Sequence, residues 1–352
     1  MVQTVAVAMS GGVDSSAAAW LLQQQGHRLI GVTMDLSASD ESTQAVRDAQ
    51  TVADQLGFPH HTMELSQLFQ EEVIDTFVRC YEAGQTPNPC IQCNRCLKFG
   101  ALLRRCQDLG ADALATGHYV RLDYDQGSGR YLLKKAAHLE KDQSYVLYSL
   151  TQNQLAHSCF PLGELSKEEV RSIALEQGLA SARKGESQDI CFIPDGDYPA
   201  FLRRYTGRTY PNGPFLDEEG HVLGEHQGIV NYTVGQRRGL GVSSNHGRLY
   251  VKELRPADNA VVLCENQELF SSALTAQGVN FIPFDRLDAP LHLRAKIRYR
   301  MTEQPCTVEQ TGPDTLLVRF DTPQRAITPG QAVVFYDGDT VVGGATIQKG
   351  GL

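Results

Sequence analysis

The stretch TVAVAMSGGVDSS, residues 4–16, joins a short apolar run to a Gly-Gly turn and the start of a helical pattern. Thr4–Ala8 is predicted to form a strand, and Ser16–Gln25 a helix that ends at Gly26. Paired glycines let the backbone turn sharply and approach a ligand closely. The helix N-terminus after them offers unpaired N–H groups and a partial positive charge. This combination predicts a loop that binds pyrophosphate.

The loop differs from two common phosphate loops, because it lacks both the Gly-Lys-Ser/Thr of a Walker loop and the GxGxxG fingerprint. The structural alternative is a plain glycine turn with a serine helix cap. SGGVDSS, residues 10–16, resembles the phosphate loop of ATP pyrophosphatases of the adenine-nucleotide α-hydrolase type. The resemblance implies that Asp14 helps to place Mg²⁺ and that Met34 lines the adenine pocket. It also implies ATP contacts from Ala8, Met9, Ser10, Gly11, Gly12, Val13, Asp14, Ser15 and Gly117.

Strands and helices alternate along the chain to about residue 118. The hydrophobic pattern predicts strands at Arg28–Asp35, Pro59–Leu65 and Asp112–Thr116. It predicts helices at Glu41–Leu56 and Ser66–Glu82. This order indicates an α/β fold with a doubly wound parallel sheet, in which ligands bind at the carboxyl ends of the strands.

The later part of the chain has a different texture. A hairpin is expected over Val120–Lys134, a short helix near Ser144–Leu150, and a helix begun by a capping box at Ser166 that ends at Gly178. From about residue 205, short alternating runs and Gly/Pro/Asn turns replace the helical pattern. We therefore expect a catalytic domain over 1–204, a small central β-rich domain over 205–275 and a C-terminal β-barrel domain over 276–352.

Composition limits the classes of protein to consider. The 352 residues carry a formal net charge of −9, which argues against a protein that coats nucleic acid without specificity. No apolar run is long enough to span a membrane, and the N-terminus does not resemble a signal peptide, so a cytoplasmic protein is expected. The nine cysteines are then not a disulfide scaffold. Five scattered ones are expected to be buried: Cys80, Cys106, Cys159, Cys264 and Cys306.

Two cysteine segments are candidates for chemistry. In TPNPCIQCNRCLK, residues 86–98, a helix is expected to begin near Arg95, which would put Cys93 at a helix N-terminus beside Lys98 and lower its pKa. Cys90, Cys93 and Cys96 also have CxxCxxC spacing, which suits a metal or an iron–sulfur cluster with a fourth ligand from elsewhere. Cys191 lies between Ile190 and Phe192, where a buried strand residue is the structural alternative.

A third candidate surface lies in LHLRAKIRYR, residues 291–300, which alternates strictly. As a strand it would put the following side chains on one face: His292, Arg294, Lys296, Arg298 and Arg300. Such a basic stripe in an acidic protein favours contact with RNA phosphates over a merely solvated barrel face.

The chain is similar to the tRNA-specific 2-thiouridylase family along essentially its whole length. SGGVDSS, TPNPCIQCN (86–94), TGHY (116–119), KDQSYVL (141–147), SQDICFI (187–193) and YTVGQRRGLG (232–241) occur in that family's order, as do KIRYR (296–300) and GGATI (343–347). The resemblance implies ATP-dependent 2-thiolation of the wobble uridine of tRNA. It implies that Cys191 carries sulfur as a persulfide, that Cys93 is a nucleophile, and that the two can form a disulfide.

The same resemblance assigns further contacts. The target base is bordered by Asn88, Pro89 and Cys90, and tRNA is contacted by His118, Lys141, Asp142, Gln143, Arg298, Tyr299 and Gln331. Many members of the family have Asp where this chain has Cys90, and no cysteine where it has Cys96. The extra thiols keep three interpretations open: a persulfide, a structural zinc, or an iron–sulfur cluster held by Cys90, Cys93, Cys96 and Cys191.

The expected chemistry joins these parts. Transfer of AMP to the C2 oxygen of uracil creates a leaving group, and sulfur then displaces AMP. ATP, Mg²⁺, a tRNA with a wobble uridine and a persulfide donor protein are the expected cofactors and partners, with no role for a membrane. The alternatives are a small-molecule ATP pyrophosphatase, a metal-stabilised RNA-binding protein and a 4-thiouridine synthetase.

Overall fold

A five-stranded parallel sheet organises the N-terminal half of the protein, whose computed structural model describes residues 2–36, 40–185, 190–242 and 247–351. The first seven strands in chain order are β1 (Thr4–Ala8), β2 (Arg28–Asp35), β3 (His60–Glu64), β4 (Ala113–Ala115), β5 (Val120–Asp125), β6 (Arg130–Lys135) and β7 (Ser158–Cys159). The sheet has the order β3-β2-β1-β4-β7. The direction of winding therefore reverses between β1 and β4, which is where a doubly wound sheet opens a ligand crevice. The predicted α/β class is confirmed.

Helices cover this sheet and continue toward the middle of the chain. They are α1 (Val13–Gln24), α2 (Asp40–Leu56), α3 (residues 66–82), α4 (residues 89–108), α5 (Gln152–Ala156), α6 (Lys167–Glu176) and α7 (Tyr198–Thr206). Helix α3 contains a π-helical stretch at Gln70–Ile74, and α4 contains one at Cys93–Leu102. Short 3₁₀ turns lie at Leu139–Lys141, Ser144–Val146, Ile229–Asn231, Pro256–Asp258 and Asn266–Leu269. The capping box predicted at Ser166 is confirmed.

Helix α4 begins six residues earlier than the sequence predicted. The expected start near Arg95 is wrong because Asn88 caps the helix: its Oδ1 accepts a hydrogen bond from the Cys90 N–H at 3.1 Å. Pro89 occupies the first helical position, where its fixed φ and missing N–H are compatible with a helix. Cys93 therefore lies inside the helix rather than at its N-terminus. The short helix expected over Ser144–Leu150 is also reduced to one 3₁₀ turn.

A four-stranded sheet forms the central β-rich part. Its strands are β8 (Gly213–Leu216), β9 (Val222–His226), β10 (Tyr250–Arg255) and β11 (Ala260–Cys264), in the order β10-β11-β8-β9. A shared apolar core joins Phe215 and Val261 of this sheet to Phe77 and Tyr81 of α3. The central part is thereby fixed against the helix that precedes the TPNPCIQCN segment.

A β-barrel forms the C-terminal part. Its strands are β12 (Phe270–Phe281), β13 (Leu291–Lys296), β14 (Gln304–Gly312), β15 (Thr315–Arg325), β16 (Ala332–Asp337) and β17 (Thr340–Gly350). Strand β12 pairs with both β15 and β17, so the sheet closes on itself. The boundary expected at residue 275 falls inside β12. The hairpin β5–β6 adds to the barrel sheet through β17.

The scattered cysteines are packing residues. Cys106, Cys264 and Cys306 are buried, as predicted, whereas Cys80 and Cys159 are half-buried. Burial raises the pKa of Cys106 and Cys306 to about 12, so these thiols stay protonated near neutral pH. Among the described residues, no helix combines the length and apolar character needed to cross a membrane.

Candidate functional site

A cleft of about 1150 Å³ opens at the carboxyl ends of β1 and β4 and reaches the barrel. Three separate parts of the chain line it: the loop at Ser10–Asp14, the segment at Pro87–Cys90 and the turn at Tyr299–Arg300. The fold therefore brings the predicted pyrophosphate loop, the segment predicted to border the base and a predicted tRNA contact to one cavity. Its size suits a nucleotide and a second ring system together.

Hydrogen bonds from serine hydroxyls within the loop at Ser10–Asp14 and the start of α1 fix the backbone of this loop. Ser15 Oγ lies 3.2 Å from Ser10 N and 3.2 Å from the Gly12 carbonyl, and Ser16 Oγ donates to the same carbonyl at 2.9 Å. Thr33 Oγ1 donates to the Met9 carbonyl at 2.9 Å, which ties the loop to β2. Met9 itself is buried in the core beneath the loop. The Met9 N–H donates to the Val32 carbonyl at 2.8 Å, so the predicted contact of Met9 with ATP stays a prediction.

Two glycines are required by close packing around this loop. Gly11 has φ +69°, and a Cβ there would lie 2.8 Å from the Ala45 carbonyl oxygen. A Cβ on Gly117 would lie 3.0 Å from the Ser15 backbone nitrogen. Gly117 thus packs against the first turn of α1. Its predicted place beside the cofactor follows from the parallel sheet, since β1 and β4 are neighbours.

Asp14 forms an ion pair that the sequence did not predict. Its Oδ1 accepts hydrogen bonds from Lys167 Nζ at 2.6 Å and from the Tyr119 hydroxyl at 2.8 Å. Lys167 is only 5% exposed, yet it lines the cleft. Our sequence interpretation used Lys167 only as a neighbour of the Ser166 cap, because the long-range contact between α1 and α6 leaves no local signal.

The segment that carries Asn88, Pro89 and Cys90 is braced by the barrel. Gln331 Nε2 donates to the Thr86 carbonyl at 2.8 Å, and Thr86 N donates to the Pro329 carbonyl at 2.8 Å. A Cβ on Gly330 would lie 2.8 Å from Thr86 N. The predicted tRNA contact Gln331 lines the cleft, and its amide also positions the thiol-bearing segment.

Three cysteines gather around Cys93. Negative charge on Cys191, Cys90 or Cys96 would raise the pKa of the Cys93 thiol, so these sulfurs lie within electrostatic reach of it. Burial is the larger effect and raises the pKa of Cys93 to about 11, while Lys98 opposes the shift only in part. The predicted lowering of this pKa is therefore wrong. Sequence reasoning identified Lys98 correctly but could not foresee that helix α4 buries the sulfur.

Cys191 is exposed in a turn, so it is not the buried strand residue of the structural alternative. Residues 187–189 of the SQDICFI motif lie outside the described residues. Burial and the charge of Cys90 raise the pKa of Cys191. Cys191 is thus accessible from outside the protein and also close to the sulfurs of α4.

Cys96, like Cys93, is not among the residues that line the cleft. It packs with the cluster of Phe69, Val73 and Leu97, and burial together with the charge of Glu72 raises its pKa. The nearby Glu72 carboxylate thus favours the protonated form of the Cys96 thiol. Of the predicted four-cysteine set, Cys96 is therefore the member least suited to bind iron.

A mononuclear zinc site is not assembled from these cysteines. Four thiolates around zinc would lie within about 4 Å of one another, given Zn–S distances near ~2.3 Å. Within the described ranges, the side chains that bring three ligand atoms within 4.8 Å of one another are Asp217, Glu219 and His221, on the central sheet. The structural-zinc interpretation is therefore wrong for the geometry described.

Asn94 is a second residue that sequence reasoning missed. It is 2% exposed and lines the cleft beside Cys93. Its Nδ2 donates to the Val146 carbonyl at 3.1 Å, and this bond assigns the orientation of the amide. Its Oδ1 has no hydrogen-bond partner among the described residues. A buried acceptor without a partner is costly, so this oxygen is suited to receive a donor from a ligand.

The side chains of residues 141–143 (Lys-Asp-Gln) lie partly in the cleft and partly in the protein interior. Lys141 and Gln143 line the cleft, as does His118, whose burial lowers its pKa well below the ordinary value and keeps it neutral. Asp142 does not line it: the carboxylate is buried and accepts from Ser144 Oγ at 2.7 Å and from Ala136 N at 3.1 Å. The Asp142 carboxylate therefore supports the surrounding backbone, and the predicted contact of Asp142 with tRNA stays a prediction.

Tyr299 connects the barrel turn to the cysteines. Its hydroxyl donates to the Asp142 carbonyl at 3.1 Å, and its ring is 39% exposed. Burial raises its pKa, and the charge of Cys90 adds to the shift, so the ring lies near that sulfur. An exposed aromatic face at this position is suited to stacking on a base.

The basic stripe is interrupted and largely neutralised. Strand β13 ends at Lys296, so Arg298 and Arg300 lie in the following turn rather than on the predicted strand face. Arg294 and Lys296 lie 3.8 Å and 3.9 Å from Glu303 carboxylate oxygens. His292 lies 3.8 Å from Asp321. The continuous row of phosphate contacts expected from the sequence is therefore wrong for its first three members.

The cleft itself has an excess of positive charge although the protein is acidic. Six cationic side chains line it, against three carboxylates, and this balance favours a polyanionic ligand. The cations are Lys98, Lys141, Lys167, Arg171, Lys184 and Arg300, and the carboxylates are Asp14, Asp48 and Glu140. Met34 is half-buried against the Phe69 cluster, so its predicted contact with adenine stays a prediction.

Family models match three consecutive parts of the chain. They are a tRNA methyl transferase HUP domain over residues 3–195, a tRNA methyl transferase PRC-barrel domain over 199–265 and an aminomethyltransferase beta-barrel domain over 271–347. These ranges follow the parallel sheet, the central sheet and the barrel.

Relatives match almost the whole chain. tRNA-specific 2-thiouridylase MnmA 1 of Caldanaerobacter subterraneus subsp. tengcongensis is 49% identical over 98% of each chain. MnmA of Clostridioides difficile is 46% identical over 99% of each chain. Among solved structures, the U34-tRNA thiolase NcsA from Methanococcus maripaludis with its [4Fe-4S] cluster aligns with 58% of this chain and 66% of that chain. The sequence identity of this alignment is 20% and its TM-score is 0.36, so the structural likeness is weak.

Proposed function

This chain belongs to the tRNA-specific 2-thiouridylase family, and on that basis we propose that it uses ATP to replace the C2 oxygen of a tRNA uridine with sulfur. One observation carries the proposal: a single cationic cleft is lined both by the loop predicted to bind pyrophosphate and by the segment that bears the Cys90 thiol. Methyl transfer, which the descriptions of the matched family models mention, would leave both features without a role.

The first step is adenylation of the base. The C2 oxygen of uracil attacks the α-phosphorus of ATP, the bond from that phosphorus to the α,β-bridging oxygen breaks, and pyrophosphate leaves. The N–H groups at the start of α1 and the Lys167 ammonium lie where they can stabilise the departing charge. The Asp14 carboxylate lines the cleft and is the group that would hold Mg²⁺, which would supply further neutralisation there.

The second step transfers sulfur. We propose that the terminal sulfur of a Cys191 persulfide attacks C2, and the bond from C2 to the AMP oxygen breaks. The Cys93 thiolate then attacks the Cys191 sulfur, which forms a Cys93–Cys191 disulfide and releases the thiocarbonyl. An external dithiol must reduce the disulfide before the next turnover. The electrostatic coupling between Cys93 and Cys191 supports this pairing.

The exposure of each sulfur fits its proposed role. Cys191 is exposed and can be reached by a persulfide donor protein, whereas Cys93 is half-buried in α4. A raised pKa keeps the Cys93 thiol protonated near neutral pH. Deprotonation by a base or a change in solvation is then required for its attack.

The target base has a recognisable binding environment. Tyr299 offers a face for stacking, and Asn94 Oδ1 can accept the uracil N3–H, a donor that cytosine lacks. Asn88 already uses its side-chain oxygen to cap α4, so its role toward the base is through the position of Cys90. A wobble uridine must leave the anticodon stack to reach this depth.

The electrostatic coupling among Cys90, Cys93 and Cys191 keeps an iron–sulfur mechanism as the second candidate. These three residues would hold the cluster, and a cluster with one open iron would supply an iron-bound sulfide in place of the persulfide. Cys96 is the least suited to be a fourth ligand because the Glu72 carboxylate raises its pKa and opposes formation of its thiolate.

The experiment that tests the proposal is ATP–pyrophosphate exchange with and without unmodified tRNA. We expect exchange only when tRNA is present, since the uracil oxygen is the nucleophile. Exchange that is independent of tRNA, or that depends on a small-molecule acceptor, would indicate a small-molecule ATP pyrophosphatase instead.

A further inference from the structure

A second cavity, of about 560 Å³, lies on the barrel beside the cleft. Its lining includes three arginines and no carboxylate: Phe270, Arg298, Arg300, Met301, Gln304, Thr322, Pro323, Gln324 and Arg325. Among the described residues, no carboxylate forms an ion pair with Arg298, Arg300 or Arg325. By contrast, their neighbours Arg294 and Arg319 pair with Glu303 and Glu309. Like charges gathered without a counter-ion indicate an anion-binding site.

The arginines are held in place by different contacts. Arg298 donates to the carbonyls of Arg325 and Ala326, where Ala326 has φ +51°, so Arg298 stabilises this turn. Arg325 donates through Nε to Asn266 Oδ1 at 3.0 Å and lies 5.0 Å from the centre of the Tyr250 ring. These contacts orient Arg325 and leave both of its Nη groups for a ligand. The charge of Arg325, after burial, also lowers the pKa of Arg298, as expected for two close cations.

The cavity and the cleft share one lining residue. Arg300 lines both of them, and it lies in the turn that follows β13. Phe270, which is 45% exposed, lies opposite Arg325 in the β12–β15 pairing. A chain of phosphates that enters the cleft can therefore continue over Arg300 into this cavity, with an aromatic ring available for a base.

We propose that this cavity is a second RNA subsite, in which Arg300 and Arg325 bind a backbone phosphate of the tRNA whose uridine occupies the cleft. The inference rests on the proposed function and extends it to a surface outside the cleft. Arg298 is a positioning residue here, because its guanidinium is engaged by backbone carbonyls. An acidic face of a sulfur-donor protein is the competing occupant, but the lining residue Arg300, which the cavity shares with the cleft, favours RNA.

The test is the salt dependence of tRNA binding, measured by fluorescence anisotropy between 50 and 200 mM KCl with unmodified tRNA. In Arg325→Gln and in Arg300→Gln, the magnitude of the slope of log affinity against log salt should fall by about one unit, since each variant loses one phosphate contact. Over this fourfold range of salt, wild type should then lose about fourfold more affinity than either variant. Arg319→Gln is the matched control, because Arg319 lies on the same strand and pairs with Glu309.

Four outcomes decide the inference. Reduced slopes for both variants, with an unchanged slope for Arg319→Gln and unchanged melting temperatures, support it. Wild-type slopes in Arg325→Gln and Arg300→Gln overturn it while leaving the proposed function intact, whereas a wild-type protein that does not bind tRNA overturns both. Normal RNA slopes combined with lost sulfur transfer from a protein persulfide, but not from a small persulfide, would assign the cavity to an acidic protein.

Discussion

Replacing Lys167 with Met tests whether the pair with Asp14 serves catalysis. At 2.6 Å, two unit charges attract by about 6 kcal/mol at an effective dielectric constant of about 20, and desolvation of the buried ammonium offsets much of this. Breaking one side of a buried pair typically costs about 3–5 kcal/mol. Because about a third of the Asp14 side chain is exposed, water can replace Lys167, and we expect a loss of about 2 kcal/mol in the free energy of unfolding.

The catalytic effect of Lys167→Met should exceed the effect on stability. If the ammonium stabilises departing pyrophosphate, tRNA-dependent ATP–pyrophosphate exchange should fall by about a hundredfold, or roughly 3 kcal/mol in the barrier. Lys134→Met is the control, since Lys134 pairs with Asp123 on an exposed hairpin and should change neither quantity by more than about 1 kcal/mol. The double variant Asp14→Asn/Lys167→Met should recover stability but not exchange. Normal exchange in Lys167→Met would refute the assignment.

Three further predictions concern the cysteines and the loop. Cys93→Ser and Cys191→Ser should each abolish thiolation, whereas Cys96→Ser should retain it, because Glu72 keeps the Cys96 thiol protonated. Nucleoside mass spectrometry measures the thiolated product, and loss of activity in Cys96→Ser would favour a four-cysteine cluster. Since the pKa of Cys93 is about 11, its thiolate fraction and its rate of alkylation by iodoacetamide should rise about tenfold per pH unit from pH 7 to 9. The alkylation rate should be lower at each pH in Lys98→Met, because Lys98 lowers this pKa, and a plateau below pH 9 would contradict the burial of the thiol. Gly11→Ala should prevent ATP binding in equilibrium dialysis, because the backbone cost of about 1–2 kcal/mol adds to a contact of 2.8 Å with Ala45. Gly110→Ala is the control: Gly110 has φ +83° and open space around it, so this change should lower stability alone, and equal ATP binding in both variants would refute the role of close packing.

The architecture of the N-terminal half was largely predictable because its signals are local. The period of the apolar residues placed β2 at Arg28–Asp35 without error, and the Ser166 capping box identified the start of α6. The loop at Ser10–Asp14 was predictable for the same reason, since a strand, two glycines and a helix start follow one another directly. Parallel order then placed Gly117 against α1.

The errors arose where long-range packing overrides a local pattern. Cys93 carries features that usually lower a thiol pKa, but the depth at which α4 is buried cannot be read from its neighbours in sequence. The stripe from His292 to Arg300 alternates in sequence, yet Glu303, which follows in the chain, neutralises its centre. Lys167 and Asn94 were missed because their partners, Asp14 and the Val146 carbonyl, are separated from them by 153 and 52 residues.

The most direct test of the central claim is the product of a complete reaction. Unmodified tRNA, ATP with Mg²⁺ and a persulfide donor would be incubated with the wild-type protein, and the digested nucleosides analysed by mass spectrometry against 2-thiouridine and 4-thiouridine standards. We predict 2-thiouridine at the wobble position, formed only when ATP is present and accompanied by AMP and pyrophosphate in equal amounts. Formation of 4-thiouridine, or 2-thiouridine made without ATP, would contradict the account.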